Sequence, residues 1–515
     1  MKKKFFMTAL LFLIGFSGMI YGQAVAKFSS KTDSAGRARS MMKLAQSSID
    51  YYTKTFTYKG LKPEAKVRMH LERSGAYVVL KKFDKAIDDC TAAIAINPKS
   101  GEAYITRAAI YDRINNDELA IEDSKKAILY AKTDELKASL YNLMAHSYLQ
   151  THKYSKAITA DSIAILLNPK LANAYTNRAE AYGRSGKFQL SINDLSVAMY
   201  GYQENTLMLS NLLSYRADMK RALKQYKESI NDYSLALKLN PDNGLAYWNR
   251  AASYRQNGDY QLAYEDYSKA INYFKNDRMQ LARLYDDRAL MEVGLQQYQQ
   301  AIADDSVAIA LDTAYRVAYY NMANARAQNG EYTRSNAQFK KIVPYYMNNP
   351  LAMTSIYSSM AHNEYFLNNY QTAIDYCTKA ISLNTADWSP YFERGRAYLK
   401  MNNKDLAVKD FKEILARDTS KQSADYAFSL YYTGNPDKAV EVMQSSFLKT
   451  NDTFVLMGDY YNMACLYAIM NKPDEANNFL KKCIDGGYNK KYALTDGDFD
   501  NIRSTAEFKN IMGLR

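Results

Sequence analysis

The chain has 515 residues, 47 % of them apolar, with a formal net charge of +13. That apolar content excludes a largely disordered chain, and the length exceeds what one compact core can organise. With 9 Pro and 21 Gly against 46 Tyr, the composition suits packed helices with amphipathic aromatics between them.

The first predicted element is a targeting segment. Lys2, Lys3 and Lys4 form a basic start, Phe5 to Gly22 is apolar and uncharged, and small residues follow. This is the pattern of a secretory signal over residues 1–22, or 1–26 if cleavage follows the stretch Ala24–Val25–Ala26. The expectation is an exported protein, placed in the periplasm or cell envelope or secreted. The first cysteine is Cys90, too far along for a lipoprotein anchor, and no second apolar run of spanning length follows. The mature protein is therefore expected not to be an integral membrane protein. In an exported chain the basicity reads as solubility and attraction to acidic envelope surfaces, not as nucleic-acid binding. Residues 23–66 are expected to form a helical cap, with Met41, Met42, Leu44 and Ile49 as its apolar stripe.

From Val67 onward the chain repeats itself. Units of 34 places begin at Val67, Gly101, Ala138, Ala172, Ser210, Gly244, Ala282, Arg316, Thr354, Trp388, Ser420 and Met457. Each reads as two amphipathic helices joined by a tight turn. Gly186, Gly258, Gly330 and Gly434 stand at the turn, where a helix end wants a left-handed residue, and Pro98, Pro169 and Pro241 stop second helices. Places 8 and 20 are small in all twelve units, which lets two antiparallel helices approach closely. Place 7 is Arg in seven units and place 23 is Asp in the same seven, which predicts an Arg–Asp pair inside each. Starts at 138, 210, 282 and 354 are 72 residues apart, so every second junction is expected to carry a longer second helix or linker.

This pattern resembles the tetratricopeptide repeat family: an aromatic at place 4 (Tyr104, Tyr175, Tyr247), a small residue at 8, Tyr at 11 (Tyr77, Tyr148, Tyr254), Ala at 20 and 27, Pro at 32. The resemblance covers residues 67–490 and implies an all-α, right-handed superhelical solenoid of about twelve helix pairs, with a concave groove lined by first helices. Residues 491–515 resemble the closing segment that covers the last apolar face of such arrays. The family is a binding scaffold and implies no enzyme chemistry.

Candidate chemistry is sparse. His70, His146, His152 and His362 have no ligand-spaced neighbours, and no phosphate loop, nucleophile elbow or zinc-protease motif is present. Asp496, Asp498, Asp500 and Glu507 have the spacing of a calcium loop, but Asn501 replaces its turn glycine, and helix capping is the favoured reading. Cys90, Cys377, Cys465 and Cys483 read as free thiols. No cofactor and no metal is expected. The family's carboxylate clamp needs Lys at place 5, and no unit here has one.

The expected function is that of an exported protein–protein interaction scaffold that binds a partner peptide or protein segment in its groove. The alternative is a glycan-binding envelope protein that uses exposed aromatics. By the resemblance, groove residues sit at places 2, 5, 9, 12 and 13. Aromatics gather there only in the last seven units: Trp248, Tyr320, Tyr365, Phe366, Phe392, Phe428, Tyr431, Tyr432 and Tyr461. Arg396 and Lys400 add positive charge beside Phe392, which points to a partner with acidic residues.

Overall fold

A computed structural model describes residues 34–58, 60–447, 453–488 and 490–514 of the protein. The expected signal segment, 1–22 or 1–26, lies outside the described residues. Among the described residues there are 27 α-helices and no strand. The chain divides into two compact units, Met1–Pro241 and Asp242–Arg515.

The first unit holds α1 (Ser34–Thr55) and five antiparallel pairs: α2 (Pro63–Val79) with α3 (Phe83–Ile96), α4 (Gly101–Arg113) with α5 (Asp117–Tyr130), α6 (Asp134–Gln150) with α7 (Tyr154–Leu167), α8 (Ala172–Arg184) with α9 (Phe188–Ala198), and α10 (Thr206–Ala222) with α11 (Tyr226–Leu239). The second unit holds seven pairs: α12 (Gly244–Asn257) with α13 (Tyr260–Tyr273), α14 (Arg278–Gly294) with α15 (Tyr298–Leu311), α16 (Arg316–Gln328) with α17 (Tyr332–Tyr346), α18 (Pro350–Phe366) with α19 (Tyr370–Leu383), α20 (Ser389–Lys400) with α21 (Lys404–Arg417), α22 (Ala424–Tyr432) with α23 (Pro436–Ser446), and α24 (Thr453–Ile469) with α25 (Pro473–Asp485). Two short helices, α26 (Lys490–Thr495) and α27 (Ala506–Met512), follow, with a 3-10 turn at Gly497–Phe499 between them.

Each pair closes over its small residues. Ala108 and Ala120, Ala145 and Ala157, and Ala251 and Ala263 are completely buried. Where serine replaces alanine, its hydroxyl is satisfied by the facing backbone: Ser191 donates to the Ala179 carbonyl at 2.7 Å, Ser229 to Ala217 at 2.9 Å and Ser335 to Ala323 at 2.7 Å. A buried hydroxyl without such a partner would be destabilising, so serine is tolerated here because the gap is bridged. Gly395 takes the small position opposite Phe411, and a Cβ there would stand 2.8 Å from the ring.

The turn between the two helices is the same in every pair. Gly186, Gly258, Gly330 and Gly434 have φ between 76° and 96°, as the sequence predicts. The other eight units place Lys81, Asn115, His152, Lys224, Gln296, Asn368, Asn402 and Asn471 at that position, with φ between 56° and 61°. The pair geometry imposes the left-handed residue even where a side chain must bear it.

All seven Arg–Asp pairs form, each through two parallel hydrogen bonds. Nε and Nη2 of Arg107 reach Asp123 at 2.7 and 2.9 Å, and those of Arg394 reach Asp410 at 2.8 and 2.8 Å. The remaining nitrogen does what pair spacing alone does not predict. Nη1 of Arg107 donates to Thr91 and that of Arg394 to Thr378, both on the second helix of the preceding pair, at 2.9 and 3.1 Å. One guanidinium thus ties its own pair shut and stitches it to its neighbour.

Two expectations are corrected. The extra residues at every second junction lengthen neither the second helix nor a loop: α6, α10, α14 and α18 are each 17 residues long, one turn more than α4, α8 and α16 with 13. Thr133, Asn205, Asp277 and Asn349 cap the added turns, each accepting from the backbone N–H three residues on, and this capping signal stabilises helix upstream of the repeat start. In α1 the buried seam runs through Ala45 and Ile49, while Met41, Met42 and Leu44 are exposed. An alanine four residues before Ile49 keeps the helix close to Ala76, and the bulkier residues turn outward.

Candidate functional site

The candidate groove residues of the second unit are packed more tightly than a stacking platform requires. Tyr365, Phe428 and Tyr461 are buried, and the other six aromatics are half-buried; none of the nine is exposed. Tyr432 stacks on Phe411 at 4.6 Å, Phe366 on Tyr332 at 5.2 Å, and Phe392 leans on Phe428 at 5.7 Å. The Trp248 indole N–H donates to Asp287 at 2.9 Å, and the Tyr431 hydroxyl donates to the Ile469 carbonyl at 2.8 Å. Tyr320 packs edge-on against Phe339. None of the nine rings has the full exposure of a surface stacking platform of the kind the glycan reading expects.

Five of the eleven candidates nonetheless meet in one place. Phe366, Phe392, Arg396, Phe428 and Tyr461 line a cavity of about 580 Å³ in the second unit. Its wall is built mainly by five successive first helices, α16, α18, α20, α22 and α24, with Gln296 and Tyr298 at the α14–α15 turn, and Tyr488, Tyr492, Asp496 and Asp498 of the C-terminal segment close it. Trp248, Tyr320, Tyr365, Lys400, Tyr431 and Tyr432 are not part of its lining.

The C-terminal segment is anchored across 100 residues of sequence. Arg396, buried, reaches Asp496 at 3.0 Å and Asp498 at 3.5 Å, and its guanidinium lies over the Tyr365 ring at 4.4 Å. Lys400 pairs with Asp500 at 3.0 Å. Below them Phe499, Ile502, Phe508 and Met512 join the last core cluster with Met463 and Leu480. The two cations that pointed to an acidic partner are therefore satisfied by the chain's own aspartates. The calcium-like string is consumed in the same way, since Asp496 also caps the 3-10 turn by accepting from the Asp498 N–H at 3.1 Å, and Arg503 reaches Asp500 at 3.1 Å.

Residues 217–258 match the family described as TPR repeat, and residues 245–277, 389–420 and 460–485 match the family described as tetratricopeptide repeat. The protein contains tetratricopeptide repeats. Tetratricopeptide repeat protein 6 of Homo sapiens is 21 % identical over 297 residues, covering 51 % of this chain and 56 % of that protein. The DnaJ homolog subfamily C member 7 homolog of Schizosaccharomyces pombe is 26 % identical, covering 47 % and 55 %. The chain thus spans about half the length of these curated relatives. Stress-induced-phosphoprotein 1 of Caenorhabditis elegans is 26 % identical, covering 42 % and 66 %. Among solved structures, yeast Tom70 is 15 % identical with a TM-score of 0.36, covering 81 % of this chain and 99 % of that one.

The tetratricopeptide repeats place an unusual set of ionisable groups around the cavity. Glu393 accepts from or shares a proton with His362 Nδ1 at 2.9 Å. Burial pushes the Glu393 carboxyl up, but the His362 ring and Arg396 outweigh it and hold it down at about 2. Asp425 is pushed up to about 7 by burial and then by Glu393, with Arg396 opposing. Asp498 is also pushed up to about 7, by burial first and, against Arg396 and Lys400, by Asp496 and Glu393. Cys465, Asp496 and Asp498 bring ligand-type atoms within 4.8 Å of one another. Arg396 already supplies the positive charge at that point, and burial pushes the Cys465 thiol well up, away from the thiolate a metal needs. All four cysteines are buried and free.

Glu393, Asp425, Asn363 and Asp498 are the residues that the groove register misses. Glu393 and Asp425 both stand at place 6 of their units, beside the place 5 that the register assigns to the groove. A carboxylate at place 6 in two consecutive units was the available signal.

Proposed function

We propose that this tetratricopeptide-repeat protein is an exported, non-catalytic scaffold that holds a segment of a partner protein in the cavity of its C-terminal unit. The carrying observation is that one cavity touches the first helices of five successive repeats, which suits a chain segment running along the array. The polar and aromatic mixture of the wall is that of a recognition surface, with hydrogen-bonding groups to fix orientation and rings to supply contact area. Relatives with names such as the Hsp70-Hsp90 organizing protein of Triticum aestivum agree with a partner-holding role. Export is supported by the basic and apolar start at Lys2–Gly22.

A photo-cross-linking side chain at Gln328 or Asn462, both on the cavity wall, tests the site in the native cell. The same group at the exposed Leu262 serves as the control. A discrete adduct from Gln328 and Asn462 but not from Leu262 is the expected result. Adducts from Leu262 alone would move the binding surface elsewhere. Amino-terminal sequencing tests export: the mature chain is expected to begin at Gln23 or Lys27, and an intact Met1 contradicts it.

A further inference from the structure

The cavity has an imbalance that the folded chain leaves uncompensated. Four carboxyl groups line it, Glu393, Asp425, Asp496 and Asp498. Against them stand Arg396, already shared between Asp496 and Asp498, and the imidazole of His362. Several acceptors are left over. Oε2 of Glu393 is buried with no hydrogen-bond partner among the described residues. Asn363 is completely buried and donates to Ser335 Oγ at 2.9 Å and Asn336 Oδ1 at 2.8 Å. Those two bonds fix its amide, because the flipped form would set two carbonyl oxygens face to face. Its Oδ1 is buried with no hydrogen-bond partner among the described residues, and Asn363 is one of the residues that line the cavity. A buried acceptor left unsatisfied costs about 1–3 kcal/mol. One donor is also unpaired, Nε of Arg396. Phe366, Phe392 and Phe428 supply the aromatic surface between these groups.

Spare acceptors, an excess of carboxylates and aromatic walls together describe a receptor for a cation. We propose that the cavity takes the cationic side chain of a partner segment, a lysine ammonium or an arginine guanidinium, with Glu393, Asp425 and Asn363 as its acceptors. The inference rests on the scaffold reading above and gives the partner its chemistry. A peptide suits the site better than a free amine, because the cavity touches the first helices of five successive repeats, a path that a chain segment can follow. Burial raises the carboxyls of Asp425, which faces Glu393, Arg396, Asp418 and Asp387, and of Asp498, which faces Arg396, Asp496, Lys400 and Glu393, to about 7, so both bind protons in the neutral range. A bound cation releases those protons, so binding should strengthen as pH rises through 7.

The test is a selection of random decapeptides on the full chain, followed by affinity measurements on a selected sequence. Lys or Arg should be enriched at one position and Asp and Glu depleted. Replacing that residue by Gln in the peptide should weaken binding at least about tenfold, the usual scale for a charge-assisted contact. Asp425→Asn and Glu393→Gln should each do the same, with circular dichroism confirming the fold. The peptide substitution carries the test if a protein variant fails to fold. Affinity should fall about tenfold between pH 8 and pH 6 for each carboxyl that must shed its proton. Enrichment of acidic or purely apolar peptides overturns the cation while leaving the scaffold reading standing. No enrichment over an Ala424→Trp variant, which sets a large side chain on the cavity wall, overturns both. Displacement of the peptide by spermidine at lower concentration than by unlabelled peptide overturns the peptide source in favour of a free polyamine.

Discussion

Replacing Asp194 by Ala removes the carboxylate that closes one repeat and leaves its arginine behind. Arg178 reaches Asp194 through Nε at 2.7 Å and Nη2 at 2.8 Å, and it retains Ser162 at 3.0 Å after the change. Its guanidinium also lies near the Tyr175 and Tyr182 rings, at 5.7 and 5.8 Å. Removing one partner of a fully buried pair costs about 3–5 kcal/mol, and an exposed pair is worth about 0–1 kcal/mol. Here the arginine side chain is 19 % exposed and the aspartate 9 %, close to the buried limit but with some water at the guanidinium. The retained Ser162 bond and ring contacts lower the loss, so about 2–3 kcal/mol is expected. In a repeat array this loss acts locally, through the opening of one pair and its neighbours. Native-state hydrogen exchange should show amides of α8 and α9 exchanging roughly 30- to 150-fold faster, while those of α20 and α21 are unchanged. Replacing both residues with apolar ones of similar size should recover most of the loss, because no charge is then stranded. Acceleration below about threefold in the single variant would refute the reasoning and class the pair with solvated surface charges.

Gly186→Ala should destabilise its repeat by about 1 kcal/mol, a pure backbone effect, since a Cβ there meets nothing within 4 Å at φ +76°; a neutral result in urea unfolding contradicts it. Lys224→Gly at the equivalent turn of the next pair should stabilise by a smaller amount, because φ +60° already strains the lysine. His146, held above its ordinary range because the Asp112 carboxylate at 2.8 Å outweighs burial, should stabilise the first unit fully below about pH 6.5 and progressively less as pH rises through its raised folded value. Hydrogen exchange in α6 at pH 6 and 8, corrected for intrinsic rates, should show that difference in the parent chain and lose it in His146→Gln. The thiols of Cys90 and Cys483, pushed up to about 12 by burial, should resist a thiol reagent in the native state and react only after denaturation.

Repetition carried most of what the sequence could determine. Small residues at two fixed places in all twelve units, a turn glycine in four and a covarying Arg–Asp pair in seven are local rules, and each describes contacts within one helix pair. Such contacts lie 12 or 16 residues apart, so the 34-residue period exposes them directly: Ser191 finds Ala179, and Arg107 finds Asp123 as Arg394 finds Asp410. The register also brought five of the eleven candidate residues to the cavity. Tertiary structure decided the rest, wherever a contact escapes the period. The ring faces of Tyr432 and Phe366 are covered by Phe411 and Tyr332, and burial of that kind depends on how neighbouring pairs nest. The bond from Arg107 to Thr91 crosses from one pair to the one before it. Most decisive is the C-terminal segment, which occurs once and folds back across 100 residues to set Asp496 on Arg396. No periodicity announces that contact. It converts a basic groove on paper into a cavity rich in unsatisfied acceptors, because charges in a folded protein are settled by whichever partner arrives in space.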